Sequence, residues 1–282
     1  MRMGQHEIGK LWVVATPIGN LEDFSARART VLQSVNLIAA EDTRHSSALL
    51  RHFGIATPTF ALHEHNERDA CDTLVQRMRD GAQIALICDA GTPLISDPGF
   101  RLVRAAREAG IGVSPVPGPC AAIAALSVAG LPSDRFVFEG FVSAKSSARR
   151  ARLENLSTET RTLIFYESSH RIAETIADMV QVFGGERAAV MARELTKLFE
   201  TVLDGTLDEL ARRVNADADQ RRGEFVVVVA GADAQADDAR LNDGRRVFAL
   251  LRAELPPSRA AKLAAEITGA PRKALYDFGA EG

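Results

Sequence analysis

Residues 87–100 read "ICDAGTPLISDPGF". The stretch opens as the end of a buried strand, "QIALI", then breaks into glycines, prolines, a threonine and two aspartates. It is far longer than the roughly 4–6 residues that commonly join two elements, so it is shaped to hold something as well as to turn. After it, "FRLVRAAREAG" carries apolar residues at helical spacing, with Gly110 placed to end the helix. Strand, long polar loop and helix together form the unit of an open parallel sheet, in which ligands lie beyond the carboxyl ends of strands.

The unit recurs on both sides. "LWVVA" (11–15) runs into "TPIGN" (16–20) and a helical pattern over 24–32, and "LIAAEDTR" (37–44) is another buried strand ending in polar residues. Continuous apolar strands separated by helices predict a mostly parallel sheet covered on both faces. A proline-rich break, "SPVPGP" (114–119), precedes a restart in which "RFVFEGF", "TLIFYES", "AAVMAREL" and "GEFVVVVAG" read as strands of a second α/β unit. "ADAQADDARLNDG" (232–244) is polar and reads as a linker. The remainder reads as helical, with Ser258 capping one helix, Gly269 ending it and Pro271 opening another. The expected fold is α/β: domains over 1–115 and 116–232, then a linker and a helix-turn-helix-like segment over 233–282.

Composition narrows the function. A net charge of −3 argues against a surface that coats nucleic acid generally, but leaves room for a local basic patch. No apolar run approaches the roughly 18–20 residues needed to span a bilayer. "MRMGQHEIGK" lacks the apolar region of a secretory signal, so a cytoplasmic protein is expected. Cys71, Cys88 and Cys120 form no CxxC pair and are expected as buried apolar residues. His63 and His65 in "ALHEHNE" have no third ligand at fitting spacing, so no metal is expected. Neither GxGxxG nor GxxxxGK[ST] occurs, which disfavours dinucleotide-binding dehydrogenases and P-loop NTPases.

Glycine and proline instead punctuate the strand ends: "TPIGN", "EDTR", "DAGTPLISDPG" and "PGPCAA", with "YESSHR" and "RELTK" in the second half. Glycine lets a backbone approach a ligand, and proline holds a loop open. In order, "TPIGNLED", "AAEDTRHS", "DAGTPLISDPG", "PGPCAA", "GLPSDRFVFEGF", "FYESSHR" and "ARELTK" resemble the tetrapyrrole methylase superfamily over about residues 10–230. Within it they resemble the branch that methylates a cytidine 2′-hydroxyl in the decoding region of 16S rRNA. The resemblance implies two α/β domains with a cleft between them, S-adenosylmethionine in that cleft, a homodimer, and rRNA, within the small ribosomal subunit, as partner. One departure is Ser143, which stands where the family's Pro-Ala-Lys run is expected to begin.

A site for that donor needs backbone polar groups for its amino-acid end and an apolar slot for its base. Asp89, Gly91, Thr92, Pro93 and Ile95 form the first loop of the expected site. Cys120, Ala121 and Ala122 open a helix whose free N–H groups can take a carboxylate. By resemblance alone, Tyr166, Leu195 and Ala230 line the adenine and ribose. A ribose hydroxyl needs a base or a nearby cation. The candidates are Glu41, Asp42 and Arg44 in "EDTR", and Glu194, Lys197 and Glu200 in "RELTKLFE". The last three also fit a solvated helix face with i,i+3 pairs. Lys197 can be the base only if burial or Arg193 lowers its pKa. Asp89 and Asp97 can instead brace loops.

Lys145, Arg149, Arg150 and Arg152 form a run without acids, fit either for RNA phosphates or for a plain solvated face. The helical tail suits RNA, docking or dimer contact alike. Two other readings stay open. One is a methylase of corrinoid or porphyrin precursors, against which the basic run and tail argue. The other is a nucleic-acid-binding regulator with a small-molecule sensor domain, which needs no acid–base groups facing its ligand.

Overall fold

The computed structural model describes residues 8–63 and 66–278, so His65 lies outside the described residues. The first half is a five-stranded sheet of β1 (Lys10–Val14), β2 (Leu37–Ala40), β3 (Thr59–Ala61), β4 (Ile84–Ile87) and β5 (Gly112–Val116), in the order β3-β2-β4-β1-β5. Every pairing is parallel. Alternation along β4 shows why the strands read as continuous apolar runs. Ile84 and Leu86 point into one core, where α3 (Glu67–Arg79) and α4 (Phe100–Glu108) supply Leu74, Met78 and Leu102. Ala85 and Ile87 point into the other, with Ala28, Val31, Leu32 and Leu50 of α1 (Ala26–Ser34) and α2 (Thr43–His52). Both faces are covered, so neither can carry polar side chains.

The second sheet is mixed. Its strands are β6 (Phe136–Phe141), β7 (Thr162–Ser168), β8 (Ala188–Arg193), β9 (Thr201–Thr206) and β10 (Glu224–Val229), in the order β6-β7-β10-β8-β9. β6 and β7 are parallel, whereas β10 runs antiparallel to both β7 and β8. One face packs on α6 (Ser146–Glu154), α7 (Ile172–Phe183) and α8 (Leu207–Ala216) through Leu153, Ile176, Met179 and Leu210. The other is covered by α5 (Ala121–Val128), whose Ala122, Ala125 and Leu126 meet Ile164, Val190 and Val228.

Several expectations change. Ser114, Pro115 and Val116 are no break: they belong to β5, an edge strand beside β1, where proline is tolerated because no second ladder needs its missing N–H. The segment read as a linker is helical from Ala234, as α9 (Ala234–Arg252). Its alanines, arginines and leucines are good helix formers, and polarity alone does not make a loop. α9 packs with α10 (Pro257–Thr268) and α11 (Arg272–Phe278) around a core of Phe248, Ala260, Ala264 and Leu275. Gly269 ends α10 in the left-handed region at φ 72°, as expected, but the N-cap is Pro256 and Ser258 caps nothing.

Candidate functional site

The carboxyl ends of the first sheet's strands face the second sheet across a cleft of about 410 Å³. On one side it is lined by Ile18, Glu41, Asp89, Gly91, Thr92, Ile95 and Asp97. Facing them are Cys120, Ala121, Phe141, Tyr166, Leu195 and Lys197, together with Gly223–Val226 at the start of β10.

Hydrogen bonds fix the loops to one another. The amide of Thr16 donates to Gly91 O at 2.8 Å and the amide of Gly91 to Thr16 O at 3.1 Å, a two-residue antiparallel bridge. Gly91 sits at φ 87°, where an L side chain is strained. The Thr92 hydroxyl donates to Pro119 O at 2.8 Å, tying this loop to the one before α5. The amide of Asp42 donates to Asp89 Oδ1 at 3.2 Å, so Asp89 braces the β2 loop as well as lining the cleft. Tyr166 Oη accepts from the amide of Ala122 at 3.1 Å, and its ring meets Phe138 and Phe141 edge-on at 5.0 and 5.6 Å. That cluster makes an apolar wall.

Backbone strain concentrates here. Among the described residues, the non-glycine residues with positive φ are Leu94, Ser96, Glu194 and Thr196, all in loops at the cleft. Each such residue costs on the order of 1–3 kcal/mol and persists only where its surroundings impose it. At Glu194 they do. Its amide donates to Glu224 O, and its Oε1 accepts from both the Glu224 amide at 3.0 Å and Lys197 Nζ at 2.9 Å. Lys197 Nζ also reaches Glu224 Oε2 at 2.7 Å. Lys197 leans across onto the "TPIGN" loop, where a Cβ on Gly19 would overlap its Cγ.

The electrostatics assign charges. Burial acts to lower the pKa of Lys197, but the bonds to Glu194 and Glu224 outweigh it and hold the ammonium above its usual range. Arg193 does not depress it: its guanidinium is spent on Arg222 O and Phe199 O. Lys197 is therefore a cation at neutral pH. Burial, with Asp97 and Asp89 nearby, pushes Glu41 up, and burial pushes Asp97 up. The cleft wall is thus acidic on the first sheet's side and carries a fixed cation on the other.

The expected residues distribute as follows. Asp89, Gly91, Thr92, Ile95, Cys120, Ala121, Tyr166, Leu195, Glu194 and Lys197 line the cleft. Pro93 and Ala122 are buried and do not line it, though the Ala122 amide holds Tyr166. Ala230 is misplaced by the expectation. It follows the carboxyl end of β10, but β10 is reversed and it is the start, Glu224–Val226, that faces the cleft. Asp42 caps α2 and pairs with Arg44, whose side chain is 92% exposed; neither lines the cleft. Arg149 is no RNA ligand: its side chain is 1% exposed and its Nε donates to Asp178 at 2.7 Å. Arg152 pairs with Glu139, Arg150 leans toward Asp178 and Gln181, and Lys145 is exposed. Ser143, where the proline was expected, accepts the Lys145 amide at 3.2 Å just before α6. Sequence reasoning missed Ile18, Phe141, Gly223 and Glu224 in the lining.

Residues 10–211 match the family of tetrapyrrole (corrin/porphyrin) methylases, and residues 238–281 match the RsmI C-terminal HTH domain. Relatives named "Ribosomal RNA small subunit methyltransferase I" include one from Xylella fastidiosa (strain Temecula1), 63% identical over 95% of this chain and 98% of its own. One from Pseudomonas aeruginosa is 59% identical over 95% of each chain, and one from Escherichia coli O157:H7 is 55% identical over 97% and 95%. Among solved structures, the methyltransferase CobJ superposes with a TM-score of 0.59 at 17% identity, over 79% of this chain and 95% of that one. A uroporphyrin-III C-methyltransferase from Thermus thermophilus complexed with S-adenosyl homocysteine gives 0.55 at 16%, over 79% and 97%; likeness at these identities speaks to the fold. The chain belongs to the ribosomal RNA small subunit methyltransferase I family of the tetrapyrrole methylases.

Proposed function

We propose that the protein transfers a methyl group from S-adenosylmethionine to the 2′-hydroxyl of a cytidine ribose in the decoding region of 16S rRNA. The observation that carries the reading is the cleft itself, two-sided, strained and charged, in a chain about 60% identical to named rRNA methyltransferases. The residues present suit the donor. A cavity of about 410 Å³ falls within the small-molecule range of roughly 300–1,000 Å³. Its acidic wall of Glu41, Asp89 and Asp97 complements a sulfonium cation, and Tyr166 with Phe141 offers an apolar slot. In this reading Asp89, Gly91, Thr92, Ile95, Cys120, Ala121, Tyr166 and Leu195 hold the donor. The donor supplies an activated methyl carbon; the chain supplies position, which can be worth about 7–11 kcal/mol. The reading treats 1–115, 116–232 and 233–282 as working units of a cytoplasmic homodimer, acting on rRNA within the small subunit.

Lys197 enters as a positioned cation beside the hydroxyl, because its bonds to two carboxylates keep it protonated. The proton acceptor is then a carboxylate, with Glu41 first, since burial makes it more basic than usual. Lys197→Met should lose about 10²–10³-fold in single-turnover rate, the usual cost of removing one charge-stabilising donor. Lys197→Arg should recover part of it, as the charge survives. The folded pKa of Lys197 is raised, so its charge is complete below the ordinary lysine range and disappears only above it. The wild-type rate should therefore show no lysine-dependent rise between pH 6 and about pH 9. A rise of that kind, absent from Lys197→Arg, would make Lys197 the base after all.

The reading itself is tested by incubating the protein and labelled donor with 30S subunits, protein-free 16S rRNA and a tetrapyrrole. Label in a ribose-methylated, nuclease-resistant dinucleotide from rRNA is the expected result. Label in the tetrapyrrole alone would overturn it.

A further inference from the structure

α2 leaves the rim of the cleft and presents a face that neither the core nor the cleft uses. Its N-cap, Asp42, hangs from Asp89, beside Glu41 in the lining, so the helix starts at the mouth. Ser46 and Leu50 turn inward and are buried. At about 100° per residue, Arg44, His45, Ala48, Arg51 and His52 share an arc of roughly 120° on the opposite side, and all five are exposed. The helix, "TRHSSALLRH", contains no carboxylate. Arg44 pairs with the cap Asp42. Among the described residues Arg51 forms no ion pair; its Nε donates to Ser47 O at 3.2 Å. At the helix end, His52 sits edge-on to Phe53, and the Arg29 guanidinium of α1 lies 4.9 Å from the same ring with its Nη2 donating to Phe24 O at 3.2 Å.

The basic run of the second half is tied down by its own acids, Arg149 on Asp178 and Arg152 on Glu139. On α2, Arg44 pairs with Asp42 at the exposed start of the helix, and Arg51 meets no acid among the described residues. We propose that this face of α2 grips the phosphate backbone of the RNA strand whose ribose enters the cleft. The proposal rests on the reading of the protein as an RNA methyltransferase. Charge favours RNA over a second copy, because a two-fold contact through this face would set arginines against arginines. Arg44 and Arg51 are separated by about 10 Å along the axis, so the two can meet different phosphates of one strand. Ala48 between them leaves room for a backbone to approach.

The test uses the full chain carrying Arg44→Ala and Arg51→Ala together, with Arg44→Lys and Arg51→Lys as the charge-keeping pair. Binding to 30S subunits and to protein-free 16S rRNA is measured across a salt series, beside donor affinity, unfolding midpoint and mass by light scattering. The alanine pair should bind RNA more weakly at every salt concentration. Its log K against log salt slope should be shallower by about 1.4–1.8, at 0.7–0.9 per lost phosphate contact. The lysine pair should stay near wild type, and donor affinity and unfolding midpoint should not move. Wild-type slope and affinity in the alanine pair overturn the proposal, as does a changed oligomeric mass with RNA binding intact, which makes the face an inter-copy surface. A wild-type protein that binds no RNA at any salt concentration overturns the RNA reading itself, and the assignment of α2 with it.

Discussion

Gly91→Val is expected to fold and to lose donor binding. The backbone there stands at φ 87°, and a Cβ would lie 3.2 Å from Ile18 Cγ2 and 3.7 Å from Pro119 O. Both neighbours belong to loops of the cleft. A β-branched residue in that conformation costs on the order of 1–3 kcal/mol. The chain can keep that strain or relieve it by moving the loop. Moving it breaks the bridge to Thr16 and disturbs the Thr92 bond to Pro119, which ties two loops of the cleft together. Donor affinity should fall about 10–100-fold, the equivalent of about 1.4–2.8 kcal/mol, with cooperative unfolding retained. Titration calorimetry on the folded variant measures it. Wild-type affinity in a folded Gly91→Val protein would remove this loop from the donor site.

Arg149→Ala should be the most destabilising change in the basic run, by about 3–5 kcal/mol. The guanidinium is buried and holds Asp178, while reaching Ser143 O and Ala144 O at 3.4 and 3.3 Å and Glu174 at 3.4 Å. Its removal strands the nearly buried Asp178 carboxylate, left among the described residues with Ser146 and the distant Arg150. It also frees the loop that leads into α6. Lys145→Ala, at an exposed position, should change stability by less than about 0.5 kcal/mol. Denaturant unfolding of the two variants side by side decides the matter. Equal midpoints would mean that the Arg149–Asp178 pair holds nothing.

In the first sheet β1, β2 and β4 were legible because buried parallel strands write continuous apolar runs, and the loops at their ends are too long and too polar for turns; β3, three residues at an edge, was not read. In the second sheet β6, β7, β8 and β10 were legible as strands but not in their direction, and the edge strand β9 was not read. "EFVVVV" reads the same whichever way it is laid into a sheet, so nothing in it marks Glu224 as the end at the cleft; Ala230 was expected there by resemblance alone. Arg149 failed for a related reason. What buries it is Asp178 on α7, a partner that local charge counting does not see. Lys197 was legible as a cleft residue, but its charge state was not, since that depends on Glu224 reaching it from another strand. β5 was hidden by its proline, and α9 by its polarity.

The place of β10 bears on how the chain is made. It is the last strand in sequence, yet it lies between β7 and β8. Until Glu224–Val229 has been synthesised, β7 and β8 each keep an open edge, and the apolar residues of α5 lack Val226 and Val228 to pack against. Open edges of this kind recruit other strands. A nascent chain halted near Leu195 would carry most of the cleft's lining residues and still lack Glu224–Val226, because the strand that closes the cleft has not been translated. The second half is therefore expected to fold late and all at once, with its period of greatest aggregation risk falling between the synthesis of β8 and that of β10.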